Sequence, residues 1–263
     1  MKEIKSISDV SEIKNKQNLI FYRGQSSDKE LSPLLTRGLK DEDKLDKLKD
    51  KEIESLKYLK SLLPNLKWNW WQIATIAQHY GIPTRLLDWS EDPHVGLFFA
   101  VRNKQHDDKD GVFWVFENTS GIAGFCSEYD ENLEKLTKLN YPSIYRAYRD
   151  FNKKNLKNDQ RKDKEKCIYV PRVHLQKGAL SWQPDLTKSF DKQNFNLEKQ
   201  CIHKYIVPKN CKEKIRKELN NKDVKDLRLF PDCLFINNEV IINLPNKLFN
   251  ELVGLVDRIR HYT

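Results

Sequence analysis

The segment QHYGIPTRLLDWS, residues 78–90, gathers most of the reactive side-chain types of this chain within thirteen residues. Gln78, His79, Tyr80, Thr84, Arg85, Asp88, Trp89 and Ser90 all fall there. Gly81 and Pro83 impose a turn, and polar side chains around such a turn converge on one concavity. His79 with Asp88 would make an acid/base pair for cleaving a phosphodiester without a metal. Arg85 and Asp88, three residues apart, would also make an ion pair. The same residues would serve equally as a buried strut, with His79 capping the preceding helix.

Two further constellations carry chemistry. Tyr22-Arg23-Gly24-Gln25 closes an apolar run. Glycine there permits a positive φ or a close backbone approach to a ligand. Arginine offers a planar fork suited to phosphate or carboxylate. The other is VPRVHLQKG, residues 170–178. If extended, it puts Arg172, His174 and Gln176 on one face, with Gln176 able to bond a hydroxyl or an amide. Each of these short motifs also has a purely structural use.

The elements that must position these groups follow from patterning. Residues 17–24 read as a first strand ending at Gly24. Residues 41–63 read as an amphipathic helix, with Leu45, Leu48, Ile53, Leu56, Leu59 and Leu63 at roughly helical spacing. A second helix covers 69–80, with Gly81 and Pro83 in the usual stop order. Residues 84–89 read as a short strand. Ser90 or Asp92 then caps an apolar helix whose first residue is Pro93. Residues 111–117, 167–172 and 203–208 read as strands. Residues 129–157, 210–220 and 247–262 read as largely helical. No Pro/Gly/Ser linker divides the chain, so the expectation is a single α+β domain.

Composition narrows the classes. The chain has 263 residues, 38% of them hydrophobic, with six tryptophans, so a folded core is expected rather than a disordered chain. No apolar run reaches the eighteen residues a membrane helix needs, and the polar N-terminus does not read as a signal or transit peptide. The five cysteines are scattered, odd in number and form no C-x-x-C pair. A reducing cytosol is expected, without a disulfide framework. The six histidines have no metal-ligand spacing to one another, and no metal site is expected. Nucleotide-loop, dinucleotide and hydrolase-elbow signatures do not occur. Net charge is +9, but residues 1–110 hold 19 basic and 18 acidic residues, so nearly all the excess lies beyond them. It is densest in 151–166, where Lys153, Lys154, Lys157, Arg161 and Lys162 would favour a polyanion such as nucleic acid. A solvated lysine-rich loop has the same composition.

Taken together, FYRGQS at 21–26, the block 78–90 and the Arg172/Gln176/Gly178 spacing resemble the FRG domain family, named for a Phe-Arg-Gly motif. Here Tyr22 stands in place of the Phe. Phe99-Ala100 after the block and Leu229 to Asp232 near the end extend the resemblance over about residues 18–236. On this reading 1–17 is an N-terminal segment and 237–263 a C-terminal helical segment packed on the same domain. Members are mostly bacterial and phage proteins, which implies a part in phage defence and a protein partner or antitoxin.

A more distant resemblance is to ADP-ribosyltransferases of the arginine–serine–glutamate type. It implies an α+β fold of small mixed or antiparallel central sheets flanked by helices, and NAD as substrate. Arg23 and Ser90 match the first two positions in order. The third is Gln176 rather than Glu, and an amide cannot serve as a carboxylate base. The resemblance implies that Arg23 and Arg85 hold the diphosphate, with Gly24, Gln25, Thr84 and Arg172 also binding the NAD. Ser90 would position the ribose, Tyr80 or Trp89 would stack on nicotinamide, and Gln176 or Asp88 would contact the ribose hydroxyls. A non-catalytic nucleotide- or nucleic-acid-binding module and the metal-independent nuclease are the alternatives.

Overall fold

A computed structural model describes residues 2–13, 19–37, 39, 42–62, 68–118, 132–150, 171–195 and 200–230. Six strands form one antiparallel sheet: β1 (Leu19–Gln25), β2 (Leu86–Ser90), β3 (Gly111–Asn118), β4 (Ser143–Tyr145), β5 (Gly178–Trp182) and β6 (Gln200–Val207). Their order is β4-β5-β2-β1-β3-β6. The α+β class expected from the sequence is present, with one open sheet rather than several small ones.

β3 explains why the sheet is covered on both faces. Residues 111–116 are all buried, so Val112, Trp114 and Phe116 enter one core and Phe113 and Val115 the other. The first core holds Phe21, Leu87, Trp89 and Phe190. The second packs Tyr22, Phe113 and Val115 against α4 (Pro93–Val101). Asp92 caps this helix by accepting from the His94 amide at 3.0 Å, and Pro93 fills its first turn, as its sequence requires. α4 lies so close to β1 that a Cβ on Gly24 would sit 2.1 Å from the Gly96 carbonyl oxygen and 2.3 Å from the Ala100 nitrogen. Gly24 therefore serves backbone approach, and the approaching backbone is a helix of the same chain.

The third core lies between α2 (Leu45–Ser61), α3 (Trp70–His79) and β5, around Trp71, Ile73, Ile76 and Trp182. Asn69 caps α3 reciprocally with Gln72. At its other end Gly81 adopts φ 82°, Ile82 donates to Ala77 O and Gly81 to Gln78 O. This paired closure turns the chain straight into β2.

The remaining elements are short: α1 (Ile7–Ser11), α5 (Leu133–Thr137), α6 (Ala147–Asp150), α7 (Pro171–Leu175), α8 (Lys212–Asn221) and α9 (Asp226–Leu229). Three expectations are corrected. Residues 171–175 are helical, not extended: Pro171 opens α7 rather than stopping a strand. The stretch read as one polar helix over 129–157 contains, in its described part, α5 and α6 separated by strand β4. Strand β5, not foreseen, follows α7 directly, and Lys177 reverses the chain between them with φ 45°. The basic stretch 151–166, with Lys153, Lys154, Lys157, Arg161 and Lys162, lies outside the described residues, as do the expected strand residues 167–170 and the C-terminal helix 247–262. No helix among the described residues is long and apolar enough to cross a membrane.

Candidate functional site

β1 and β2 are neighbours in the sheet, yet they pair at a single position, Tyr22 opposite Ser90. Beyond it the strands leave room, and a side chain enters. Arg23 Nη1 donates to the Asp88 carbonyl at 2.6 Å and lies 3.8 Å from its carboxylate Oδ2. A cavity of about 250 Å³ opens there, lined by Tyr22, Arg23, Gly24, Asp88, Ser90 and the far-side groups Arg172 and Gln176, with Val95, Phe99 and Phe230 as its apolar wall. A second chamber of about 160 Å³ adjoins it and shares Asp88, Trp89, Arg172 and Gln176. His79, Gln78 and Thr75 of α3 line that chamber.

Each polar group is held from behind. Ser90 Oγ donates to the Gln176 carbonyl at 2.6 Å and accepts from the Asp92 amide at 2.9 Å. The Glu91 amide donates to the Lys177 carbonyl at 3.1 Å, so the turn after α7 is fastened to the end of β2 at two points. The Gln176 side chain donates to the Leu229 carbonyl at 2.9 Å. Asp88 accepts from Gln78 Nε2 at 2.6 Å, and Gln78 Oε1 accepts from Thr84 Oγ1 at 2.7 Å. The end of α3 and the turn after it therefore position the Asp88 carboxylate, which is itself 70% exposed.

Arg23 is the principal charge of the larger chamber. Its side chain is only 15% exposed, and its Nε is buried without a hydrogen-bond partner. Burial pushes its pKa down, while the Asp88 carboxylate acts against that and Arg37 adds to it. The group stays a cation at physiological pH. A buried donor left unsatisfied is costly, and an anion entering the cavity would satisfy it. Tyr22 presents a neutral phenol: burial, with a smaller push from Glu117, raises its pKa to about 12, and its hydroxyl donates to Ile13 O. Arg172 stands 5.3 Å from the Phe230 ring, and Phe230 is 6.0 Å from Phe99.

The structure thus brings Arg23, Gly24, Asp88, Ser90, Arg172 and Gln176 together, with His79 in the adjoining chamber. The others are engaged elsewhere or turn their side chains away. Arg85 is buried and bonds Glu52 of α2 twice, through Nε to Oε2 at 2.6 Å and through its amide to Oε1 at 2.7 Å. The expected Arg85–Asp88 pair is replaced by Arg85–Glu52 and Arg23–Asp88, because residues three apart in extended chain face opposite ways. Trp89 turns its ring to the other face of the sheet, 5.4 Å from Phe190, and donates to Ser181 Oγ at 2.8 Å. Trp89 lines both chambers, but the residue is only 3% exposed and its ring packs beside Phe116 and Phe190. Tyr80 packs against the Trp71 core. Gln25 accepts from Trp114 Nε1 at 2.7 Å, and Thr84 supports Gln78. Residues 171–176 do not alternate as a strand would; α7 carries Arg172, and its following turn carries Gln176. The cleft's aromatics, Phe99 and Phe230, were not anticipated as site residues.

Comparison with known proteins fits this arrangement. Residues 18–109 match the family model of the FRG domain. The matched part carries Arg23, Gly24, Asp88 and Ser90 and supports the FRG family for that part of the chain. Arg172, Gln176 and Phe230 lie beyond it. No curated protein and no solved structure matches the chain.

Proposed function

We propose that the cleft binds NAD and that the chain transfers ADP-ribose to an acceptor. The observation that carries this reading is convergence. Arg23, Ser90 and Gln176, far apart in sequence, line one cavity from β1, β2 and the turn before β5. Their order follows the arginine–serine–third-residue order of the transferases that the sequence resembles. Arg23 and Arg172 would hold the diphosphate through charge-assisted bonds. Phe99 and Phe230 would face a flat ring in place of Tyr80 or Trp89.

In the reaction the C1′–N bond to nicotinamide breaks and nicotinamide leaves with the electron pair. The acceptor's oxygen or nitrogen bonds to C1′ and gives up its proton. Positive charge develops on the ribose, and a preorganised carboxylate lowers that barrier. Gln176 carries no charge, and its amide is already engaged with Leu229 O. Asp88 is the one acidic residue lining either chamber among the described residues. It takes the carboxylate's part. Catalysis would then rest on orientation and electrostatics rather than on a covalent nucleophile.

The engaged amide of Gln176 also favours a second reading, a nucleotide-binding module without turnover. Labelled NAD incubated with protein, DNA and RNA acceptors separates the two. Release of nicotinamide with labelling of one acceptor, lost in Arg23→Ala, supports transfer. NAD that raises the melting temperature without nicotinamide release supports binding alone. No release and no thermal shift sinks the transferase reading and turns the search to other phosphate-bearing ligands.

A further inference from the structure

Toward the β6 edge of the sheet, β3 and β6 bring together three side chains that the cleft does not use. Cys201 and His203 are two residues apart on β6 and therefore share a face. The strand register sets Glu117 of β3 directly opposite Cys201. One ligand atom of each lies within 4.8 Å of the other two. His203 Nε2 is 3.4 Å from Cys201 Sγ and 3.5 Å from Glu117 Oε1. A tetrahedral zinc ion, with bonds of about 2.3 Å to sulfur and about 2.0–2.2 Å to nitrogen and oxygen, spaces neighbouring ligand atoms roughly 3.4–3.6 Å apart. Two edges of that tetrahedron therefore already have its length.

A second feature favours an ion over a simple hydrogen-bonded trio. The same ring nitrogen, Nε2, faces both the sulfur and the carboxylate. One N–H points along one line and serves one acceptor well. A lone pair on Nε2, directed at a cation between thiolate and carboxylate, serves all three groups at once. We propose that Glu117, Cys201 and His203 form a zinc site, with a fourth position open to water. One thiolate, one imidazole and one carboxylate select a borderline-soft transition ion over magnesium or calcium. Cys201 is exposed and His203 is 48% exposed, so an ion enters from solvent. The groove leading to Glu117 is also lined by Glu3, Asp9 and Glu12, against Lys2 as its basic residue, which draws cations toward it.

The full chain, stripped with a chelator and kept reduced, is titrated with Zn²⁺ by calorimetry and with Co²⁺ by absorbance. The expected result is one Zn²⁺ per chain and a thiolate-to-cobalt charge-transfer band. Cys201→Ser should abolish the band. His203→Ala and Glu117→Gln should each weaken Zn²⁺ binding at least tenfold, with unchanged far-UV circular dichroism, because all three positions reach the surface. The proposal is overturned if no thiolate band forms. It is equally overturned if the Cys201→Ser/His203→Ala double variant binds Zn²⁺ as tightly as the parent, which would assign the ion to other cysteines. Neither result depends on what the cleft binds.

Discussion

The Ser90 hydroxyl donates to the backbone carbonyl of Gln176, 2.6 Å away and eighty-six residues on in the chain. This bond holds the turn before β5 against the last residue of β2, and so keeps Gln176 on the wall of the cleft. Ser90→Ala leaves the Gln176 carbonyl and the Asp92 amide without this partner. The expected cost is about 1–3 kcal/mol of stability. Under the proposed function, NAD affinity falls with it. Chemical denaturation and NAD titration of the same variant read the two effects, and an unchanged midpoint would show that the turn is held by its other bonds.

Arg23 and Arg85 should separate binding from folding. Arg23→Ala removes a charge-assisted anion contact, expected to lower affinity for NAD or another phosphate-bearing nucleotide roughly tenfold to hundredfold. Arg85→Ala leaves the buried Glu52 carboxylate unpaired and should destabilise by about 3–5 kcal/mol. Replacing both Glu52 and Arg85 by Leu and Met should restore much of that loss. Thermal melts with and without nucleotide check both, and equal destabilisation by the two arginine variants would make Arg23 a strut.

Asp88→Asn tests which group acts as the carboxylate. It keeps an acceptor for Gln78 Nε2 and removes the charge. NAD binding should persist within a few-fold, while nicotinamide release falls by about a hundredfold or more, the scale of losing one electrostatic stabiliser. Release that survives in Asp88→Asn and disappears in Gln176→Ala would move the role to Gln176.

Gly24→Ala should fail for a reason unrelated to ligand. The new methyl group would meet backbone atoms of α4 that cannot swing aside, at 2.1 and 2.3 Å. Overpacking of this kind costs upwards of about 1–3 kcal/mol. A melting temperature equal to the parent's would mean that α4 can move off β1.

Asp92 predicts an acid response. Burial works against its charge, but hydrogen bonds from His94 and Lys177 outweigh that and hold its carboxyl well below the usual carboxylate range. A carboxylate lowered in this way adds stability that is fully present above its ordinary pKa of 3.8 and is lost as pH falls toward the native value. Asp92→Asn keeps the cap and removes the charge. The stability gap between parent and variant should be constant from neutral pH to about pH 5 and shrink below about pH 4. A gap independent of pH would assign it to packing.

Local signals in the sequence identified what local geometry controls. Gly81 with Pro83 and Asp92 with Pro93 each mark a helix boundary that occurs where the residues demand it. The turn within 78–90 reads as one concavity, and its Asp88 and Ser90 do line the cleft, where Arg23 of the separate first motif joins them. What remained hidden depends on partners distant in the chain. Nothing around Arg85 names Glu52 as its counter-ion. A three-residue strand such as β4 has too few positions to show alternation. Pro171 fits a strand end and a helix start equally well, so α7 was misread, and with it the way Arg172 and Gln176 reach the cleft. Phe230 looks like any core aromatic until α9 brings it beside Phe99. Cys201 and His203 are close in sequence, but Glu117 joins them only through strand register.

The single backbone pairing of Tyr22 with Ser90 makes the sheet two three-stranded leaves, joined along that line by one backbone stitch and the Arg23–Asp88 bond. One leaf carries Arg23; the other carries Asp88, Ser90 and, on the turn before β5, Gln176. A ligand held by both leaves becomes a further stitch along the same line. It would tie the leaves together as it binds, so the slowest-exchanging amides of β1 and β2 should become slower still when the cleft is filled.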